Sequence, residues 1–364
     1  MMKILLDDGL QKGVGTGIGN YAAALGEALS ALPDTNVTRE DFSAHGSRKK
    51  ARAAYLAYLG SRAYREKLGG FDVVHYANYA MPRKVPNNTV AAVTVHDLAA
   101  FTHPETLPRA YAAYNRFMIR RAVKRADLIF TVSESMKREL VARFPEAAAH
   151  VAAVYPAHDA AAIAPTTPPV YENKALSGLE KRKFFLFVGT VERRKNLTDL
   201  LRAYLLLQKT CPAARGYALV LAGREGFGAE ELTKLINKAQ TGADIRLAGY
   251  VSAADRQKLY GEAAAFVFPS LYEGFGSPQT EAMAAGLPLI LSDIPTNREV
   301  SGNYGYFYPL GDESALAALM ARAVAGKLQA DPTLAAARLS RFSREALATR
   351  TKDAYLAAMK RKQQ

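Results

Sequence analysis

Phe184-Phe185-Leu186-Phe187-Val188-Gly189-Thr190-Val191-Glu192-Arg193-Arg194-Lys195-Asn196-Leu197 runs from an unbroken apolar stretch through a glycine and three consecutive cations into a helical period that continues to Gln208. An apolar run that does not alternate in polarity suits a parallel strand buried on both faces. The pattern recurs downstream at Tyr217–Ala222, Ile245–Leu247, Ala265–Phe268, Pro288–Leu291 and Tyr306–Tyr308, with a helical candidate at Glu230–Ala239. Upstream it appears at Ile4–Leu6, Val73–Tyr76, Val90–Val95, Leu128–Val132 and Val151–Val154, with helical stretches at Tyr21–Leu32 and Tyr111–Arg125. Between the two series, Ala164-Pro165-Thr166-Thr167-Pro168-Pro169-Val170 is a stretch that no helix or central strand traverses.

The 364 residues therefore read as two doubly wound, Rossmann-like α/β domains facing each other across a cleft. The expected divisions are residues 1–164, a linker at 165–180, a second domain at 181–342, and a C-terminal helix at 343–364 packing back on the first domain. Lys360-Arg361-Lys362 suits the end of that helix.

Composition narrows the function. The single cysteine, Cys211, excludes an internal disulfide framework and a multi-cysteine metal site, and suits a reducing cytosol. Net charge is +14, spread over both halves: 21 basic against 15 acidic residues in 1–170, and 27 against 19 in 171–364. An even excess is not a nucleic-acid tail, and no nucleic-acid motif accompanies it. No window approaches the roughly 20 apolar residues of a membrane-spanning helix. The start, Met1 to Asp8, reads as a first strand, too short for a signal peptide's apolar core. A cytoplasmic protein is expected, with peripheral contact at an anionic inner membrane face. Two basic, aromatic-bearing stretches suggest that contact, Arg48–Lys67 and Arg109–Arg125, the second carrying six basic residues and no acid. A solvated basic helix face is the plainer alternative.

Four stretches carry chemistry. Gly13-Val14-Gly15-Thr16-Gly17-Ile18-Gly19 lies between a strand and a helix, where glycines permit close approach to an anionic ligand. It fits neither the dinucleotide fingerprint nor a Walker loop, and a tight β–α turn explains it as well. His96, in Val95-His96-Asp97-Leu98, stands at the C-terminal end of a strand, the ligand-binding end of an open α/β sheet, although a lone histidine there is also compatible with a structural role. Gly189 with Arg194 and Lys195 places cations beside a helix start, an arrangement that opposes the helix dipole unless an anion is present. A solvated basic loop is the alternative.

The fourth stretch is the most specific: Ser270-Leu271-Tyr272-Glu273-Gly274-Phe275-Gly276-Ser277-Pro278-Gln279-Thr280-Glu281-Ala282-Met283-Ala284-Ala285-Gly286-Leu287-Pro288. A carboxylate follows a strand, glycines flank Phe275, and proline stands at an allowed first-turn position of a helix. A second carboxylate, Glu281, lies within that helix, where a surface or capping role is the bland reading.

This block resembles the donor-site signature of the retaining GT-B glycosyltransferases of family 4, and mannosyltransferase members in particular. The resemblance extends over nearly the whole chain through Gly17-Ile18-Gly19-Asn20-Tyr21, Val95–Leu98, Ala126–Ser135, Gly189–Asn196 and Leu219–Gly223. It implies that Glu281 binds the nucleotide ribose and that Glu273 touches hydroxyls of the donated sugar. It implies that Arg194 and Lys195 hold the diphosphate and that Gly274, Phe275, Gly276 and Ser277 offer backbone groups to sugar and phosphate. By the same resemblance His96 contacts the donor sugar from the first domain, and Gly15, Gly17 and Gly19 approach the phosphates. Many members carry leucine at the position of Ser277 and an arginine near Thr190. Their tryptophan before the last crossover helix is replaced here around Phe342-Ser343-Arg344.

No Asp-x-Asp is present, so no metal or other cofactor is expected beyond the nucleotide-sugar donor, GDP-mannose on this likeness. By the same resemblance residues 181–342 bind the nucleotide sugar and residues 1–164 bind the acceptor, expected to be a saccharide or a glycan on a lipid diphosphate. UDP-glucose, UDP-galactose or a deoxysugar remain alternative donors. A GT-B epimerase or phosphorylase, or a non-catalytic nucleotide-sugar-binding protein, are the other functional readings.

Overall fold

All sheet pairings between strands are parallel, as the unalternating apolar runs require. The computed structural model describes residues 1–9, 17–42, 48–158, 170–239 and 242–364. The described residues divide into two units.

The first unit comprises Met1–Thr102, Ala110–Ala157 and Arg341–Gln364. Its strands are β1 (Met2–Gly9), β2 (Thr35–Asp41), β3 (Val73–Tyr76), β4 (Val90–Val95), β5 (Leu128–Thr131) and β6 (Val151–Ala153). They lie in the order β2-β1-β3-β4-β5-β6. Every residue of β3, β4 and β5 is buried. β2, Thr-Asn-Val-Thr-Arg-Glu-Asp, lacks the apolar signal because it is an edge strand paired only with β1.

The helix Arg344–Gln363 completes this unit. Ser343 caps it, its hydroxyl accepting from the Ala346 N–H, and the helix buries Leu347, Ala348, Tyr355 and Ala358 in the core of the first sheet. Tyr355 Oη lies 2.6 Å from His75 Nδ1, and His75 Nε2 lies 2.7 Å from Thr94 Oγ1. Burial pushes the His75 imidazole down to about 3, so it is neutral between its two hydroxyl partners. Phe342 is buried with its ring edge-on to Tyr155.

The second unit comprises His103–Arg109 and His158–Ser340. Its strands are β7 (Phe184–Val188), β8 (Ala218–Ala222), β9 (Ile245–Gly249), β10 (Ala265–Phe268), β11 (Leu289–Ser292) and β12 (Gly305–Tyr308). Their order is β12-β11-β10-β7-β8-β9. Successive strands from β7 build outward on one side, and the chain then returns to the other side of β7 with β10.

Two boundaries differ from the sequence reading. Residues 159–169, which hold most of the proline-rich stretch, lie outside the described residues. From Glu172 onward the expected linker is part of the second unit: the N–H groups of Glu172 and Asn173 donate to the Asp255 carboxylate at 2.9 and 3.0 Å, and Leu176 is fully buried. The short segment His103–Arg109, read as part of the first domain, also groups with the second unit. There the His103 ring lies against Tyr272, and Arg193 Nη1 donates to the Glu105 carbonyl at 3.4 Å.

Candidate active site

The loops leaving β7 and β8 pass each other backbone to backbone. Gly189 has φ +150° and Gly223 has φ +156°. A Cβ on Gly223 would sit 1.8 Å from the Gly189 carbonyl oxygen, so only glycine permits the crossing. No role for Gly223 follows from the sequence motifs. Its signal was its place directly after an apolar strand.

Beyond Gly189 the three cations separate. Arg193 is turned to scaffold duty, paired with Glu231 and stacked over the Phe227 ring at 4.9 Å. Arg194 donates from Nη2 to Glu192 Oε1 at 2.7 Å, and from Nη1 to Glu273 Oε2 at 3.0 Å and the Tyr272 carbonyl at 2.9 Å. Lys195 Nζ donates to Glu273 Oε1 at 2.6 Å and lies over the Phe268 ring at 4.8 Å. Asn196, with φ +52°, then turns the chain into the helix Leu197–Thr210.

Glu273 arrives from the loop after β10. The loop's backbone is tied down by buried side chains: Thr296 Oγ1 donates to the Glu273 carbonyl at 2.8 Å, Ser292 Oγ to the Ser270 carbonyl at 2.6 Å, and Gln279 Nε2 to the Phe275 carbonyl at 2.9 Å. Gly276, at φ +83°, opens the helix Ser277–Ala284, with Pro278 in its first turn. A Cβ there would meet the Gln279 amide at 2.5 Å. Phe275 is buried and Ser277 exposed.

β7 and β10 are neighbours in the sheet although they are not consecutive in the chain. The cations after β7 and the carboxylate after β10 therefore meet at the switch point of the second sheet, outside the carboxyl ends of its strands, where open α/β sheets bind ligands. Glu273 is 4% exposed. Burial pushes its carboxyl up, but the Lys195 and Arg194 charges, joined by hydrogen bonds from Lys195 and Ser270, outweigh burial and hold it at about 2. Burial pushes the Lys195 ammonium down, against the opposing pull of Glu273. The anion that the sequence left missing is thus supplied internally, by Glu273 and Glu192. Nothing in the run Val191–Lys195 marks Glu192 as the partner of Arg194.

Glu281 occupies a different position, one turn into the helix after Gly276. Its carboxylate lies 3.8 Å from Arg256 Nη1, on the neighbouring helix Ala253–Glu262. Burial first, and then the Glu281 charge, push the Tyr260 phenol well up. Arg256 and Tyr260, four residues apart on that helix, carry no local sign in the sequence of the Glu281 they meet.

His96, Gly17 and Gly19 belong to the first unit, whereas Glu273, Arg194, Lys195, Gly189, Gly274–Ser277 and Glu281 belong to the second. Gly15 lies outside the described residues. Gly17 and Gly19 form the first turn of the helix Gly17–Ser30. His96 Nε2 donates to the Ala77 carbonyl at 2.7 Å, and the Tyr21 ring stands edge-on to it at 5.0 Å. Burial lowers the His96 pKa against that hydrogen bond. The neutral ring therefore carries its proton on Nε2 and presents Nδ1 as an acceptor.

Residues 172–339 match the family model described as glycosyl transferases group 1, and residues 16–162 match that of glycosyltransferase family 4. The chain belongs to the family 4 glycosyltransferases. This glycosyltransferase is 32% identical over 250 residues to O-antigen chain mannosyltransferase B of Escherichia coli, a match covering 68% of this chain and 63% of that relative. It thus spans less than two thirds of that relative's length. It is 26% identical over 296 residues to O-antigen chain mannosyltransferase RfbU of Salmonella typhimurium strain LT2, covering 81% of this chain and 76% of the relative. Its fold is that of sucrose-phosphate synthase from Thermosynechococcus elongatus, with a TM-score of 0.73, 19% identity and 98% of each chain covered. The glycosyltransferase has the GT-B architecture expected from its sequence.

Proposed function

We propose that this chain is a retaining glycosyltransferase that moves mannose from GDP-mannose to a saccharide, or to a glycan on a polyprenyl diphosphate, in the synthesis of a surface polysaccharide. The observation that carries the reading is the cluster of Lys195, Arg194 and Glu273 at the switch point of the second sheet. Breaking a sugar–diphosphate bond builds positive charge on the ring and negative charge on the leaving phosphate. Lys195 and Arg194 are fixed cations for the leaving group, preorganised so that no reorientation is needed during the reaction, and no metal is required. Glu273, kept ionised, accepts hydroxyls of the donated sugar. Front-face attack by the acceptor hydroxyl accounts for retention. The choice of mannose rests on the two O-antigen mannosyltransferase relatives.

Peripheral membrane contact is part of the same reading, carried by the helix Arg109–Val123. This helix exposes Phe117 (63%) and Tyr111 (41%) among Arg109, Arg120 and the following Lys124 and Arg125. The first basic stretch is less suited to it, because Tyr55, Leu59, Tyr64 and Leu68 are turned into the core. Among the described residues no helix is long and apolar enough to cross a membrane.

The test is a thermal-shift panel of GDP-, UDP-, dTDP- and ADP-sugars, each with and without EDTA. A ligand at 100 times its dissociation constant stabilises by about 2.7 kcal/mol. Selective stabilisation by GDP-mannose, indifferent to EDTA, is expected. Stabilisation by another nucleotide sugar would replace the donor, and no shift with any of them would remove the donor site.

A further inference from the structure

Tyr21 lies in the second turn of the helix Gly17–Ser30, buried, and the chemistry proposed above makes no use of it. Thr94, in β4, and His96, just beyond that strand, are two positions apart and project to the same side. Tyr21 spans both. Its hydroxyl lies 3.3 Å from Thr94 Oγ1, and its ring stands at 85° to the His96 imidazole, with centroids 5.0 Å apart.

The hydroxyl end of Tyr21 is anchored in the core. Thr94, His75 and Tyr355 are fully buried. Thr94 Oγ1 is also the partner of His75 Nε2, and His75 Nδ1 is the partner of Tyr355 Oη. A neutral imidazole donates from one nitrogen and accepts at the other, so one row of hydrogen bonds runs from the helix Arg344–Gln363 through β3 and β4 to Tyr21. Packing supports the row: the His75 ring stacks on Phe130 at 4.9 Å, and Tyr355 stands edge-on to both. Every member belongs to the first unit.

The ring end meets a histidine that the protein holds at one nitrogen. His96 Nε2 bonds the Ala77 carbonyl, and Nδ1 has no hydrogen-bond partner among the described residues. A ring tied at one nitrogen can swing away from its acceptor, and either tautomer is then open to it. A second aromatic ring packed against it at a right angle opposes that swing. We propose that Tyr21 is a positioning residue for His96: its ring, anchored through Thr94 and His75 to Tyr355, keeps the His96 Nε2–H on the Ala77 carbonyl and leaves Nδ1 to accept a hydroxyl of the donated sugar. The part given to the sugar rests on the glycosyltransferase reading, whereas the hold on the ring does not.

Proton–nitrogen correlation spectra of the histidine rings, with the His96 signals assigned by His96→Gln, read the tautomer on the full chain without any ligand. Release of GDP from GDP-mannose measures turnover on the same samples. The wild type is expected to show His96 as a single Nε2–H form. Tyr21→Met keeps much of the volume but removes the ring, and is expected to give averaged tautomers and a kcat about tenfold lower, with KM for GDP-mannose within about twofold. Tyr21→Phe keeps the ring without its anchor and is expected to fall between the two in both readouts. It also carries the test if Tyr21→Met does not fold. A wild-type ring that is Nδ1–H or averaged would overturn the proposal. So would an unchanged His96 spectrum in Tyr21→Phe, and a lower thermal midpoint beside that spectrum would mark Tyr21 as a structural residue only. If the wild type releases no GDP while loss of the Tyr21 ring averages His96, the positioning stands and the donor reading falls.

Discussion

Lys195 Nζ sits 2.6 Å from Glu273 Oε1, although 78 positions separate the two residues in the chain. The pair joins the loop after β7 to the loop after β10, and Arg194 braces the same carboxylate from its other oxygen. Both cations are held by the protein's own carboxylates. On the proposed function, a donor diphosphate shares these cations with Glu273 and Glu192.

Glu273→Gln should therefore separate turnover from binding. On the proposed function, losing the carboxylate removes a contact to the donated sugar, and kcat is expected to fall about 100-fold or more, the scale of one lost transition-state contact. The same change frees Lys195 and Arg194, so the dissociation constant for the nucleoside diphosphate is expected to stay level or tighten. A variant with wild-type kcat would take Glu273 out of the mechanism.

Lys195→Met leaves a buried carboxylate short of one of its two cations. Breaking a buried pair on one side costs about 3–5 kcal/mol. The urea midpoint of the second unit is expected to fall accordingly, and the double variant Lys195→Met/Glu273→Gln should recover part of the loss. Additive losses in the double variant would mean that the two side chains do not interact energetically.

The acid response has opposing parts. His75 is lowered from 6.5 to about 3, so the unfolded chain takes up the proton first and stability falls as pH drops through that window. Asp7 is raised from 3.8 to about 6, chiefly by burial, so here the folded chain takes up the proton first and stability rises as pH drops from 6 to 3.8. In the second unit, Glu273's contribution is complete above 4.5 and is lost toward 2. Asp7→Asn removes the compensating gain, and its urea midpoint should decline more steeply than the wild type's as pH drops from 6 to 3.8. Parallel declines would contradict the raised Asp7 pKa.

Gly223→Ala should be far worse than Gly286→Ala. The first puts a methyl group 1.8 Å from a carbonyl oxygen, whereas Gly286, at φ +70°, has open space around it. The expected costs are more than about 4 kcal/mol for the first and about 1–2 kcal/mol for the second. Soluble yield and thermal midpoint of the two variants compare them directly.

Phe117→Ser should weaken flotation with anionic liposomes while leaving the thermal midpoint unchanged, because the ring is 63% exposed. Flotation that is equal with and without anionic lipid would argue that the basic helix is merely solvated.

Strands buried on both faces announced themselves in the sequence. Val73–Tyr76, Val90–Val95, Phe184–Val188 and Ala265–Phe268 have the bounds their apolar runs predict. β2 was hidden because an edge strand needs little apolar content. The site's parts were legible singly, in the Arg194-Lys195 pair and in the Glu273 loop, because glycines and clustered charge leave a mark on sequence. Their direct pairing was not, because it follows from β7 and β10 being neighbours, and strand order is written in long-range packing. The same holds for Asp7, whose two tyrosine partners lie 48 and 57 residues away. Glu105 likewise gives no local sign of its bond to Arg193, which crosses 88 residues.

The placing of Tyr355 against His75 sets an order of assembly. A chain leaving the ribosome has presented all six strands of the first sheet before the helix that packs on β4 and β5 has been made. The second sheet has its last strand by Tyr308, with the helix Arg344–Gln363 still to come. The half that is synthesised first is thus the half that finishes last. Until the middle of that helix emerges, Phe130 and His75 lack the Tyr355 ring, which lies 280 residues beyond His75 in the chain.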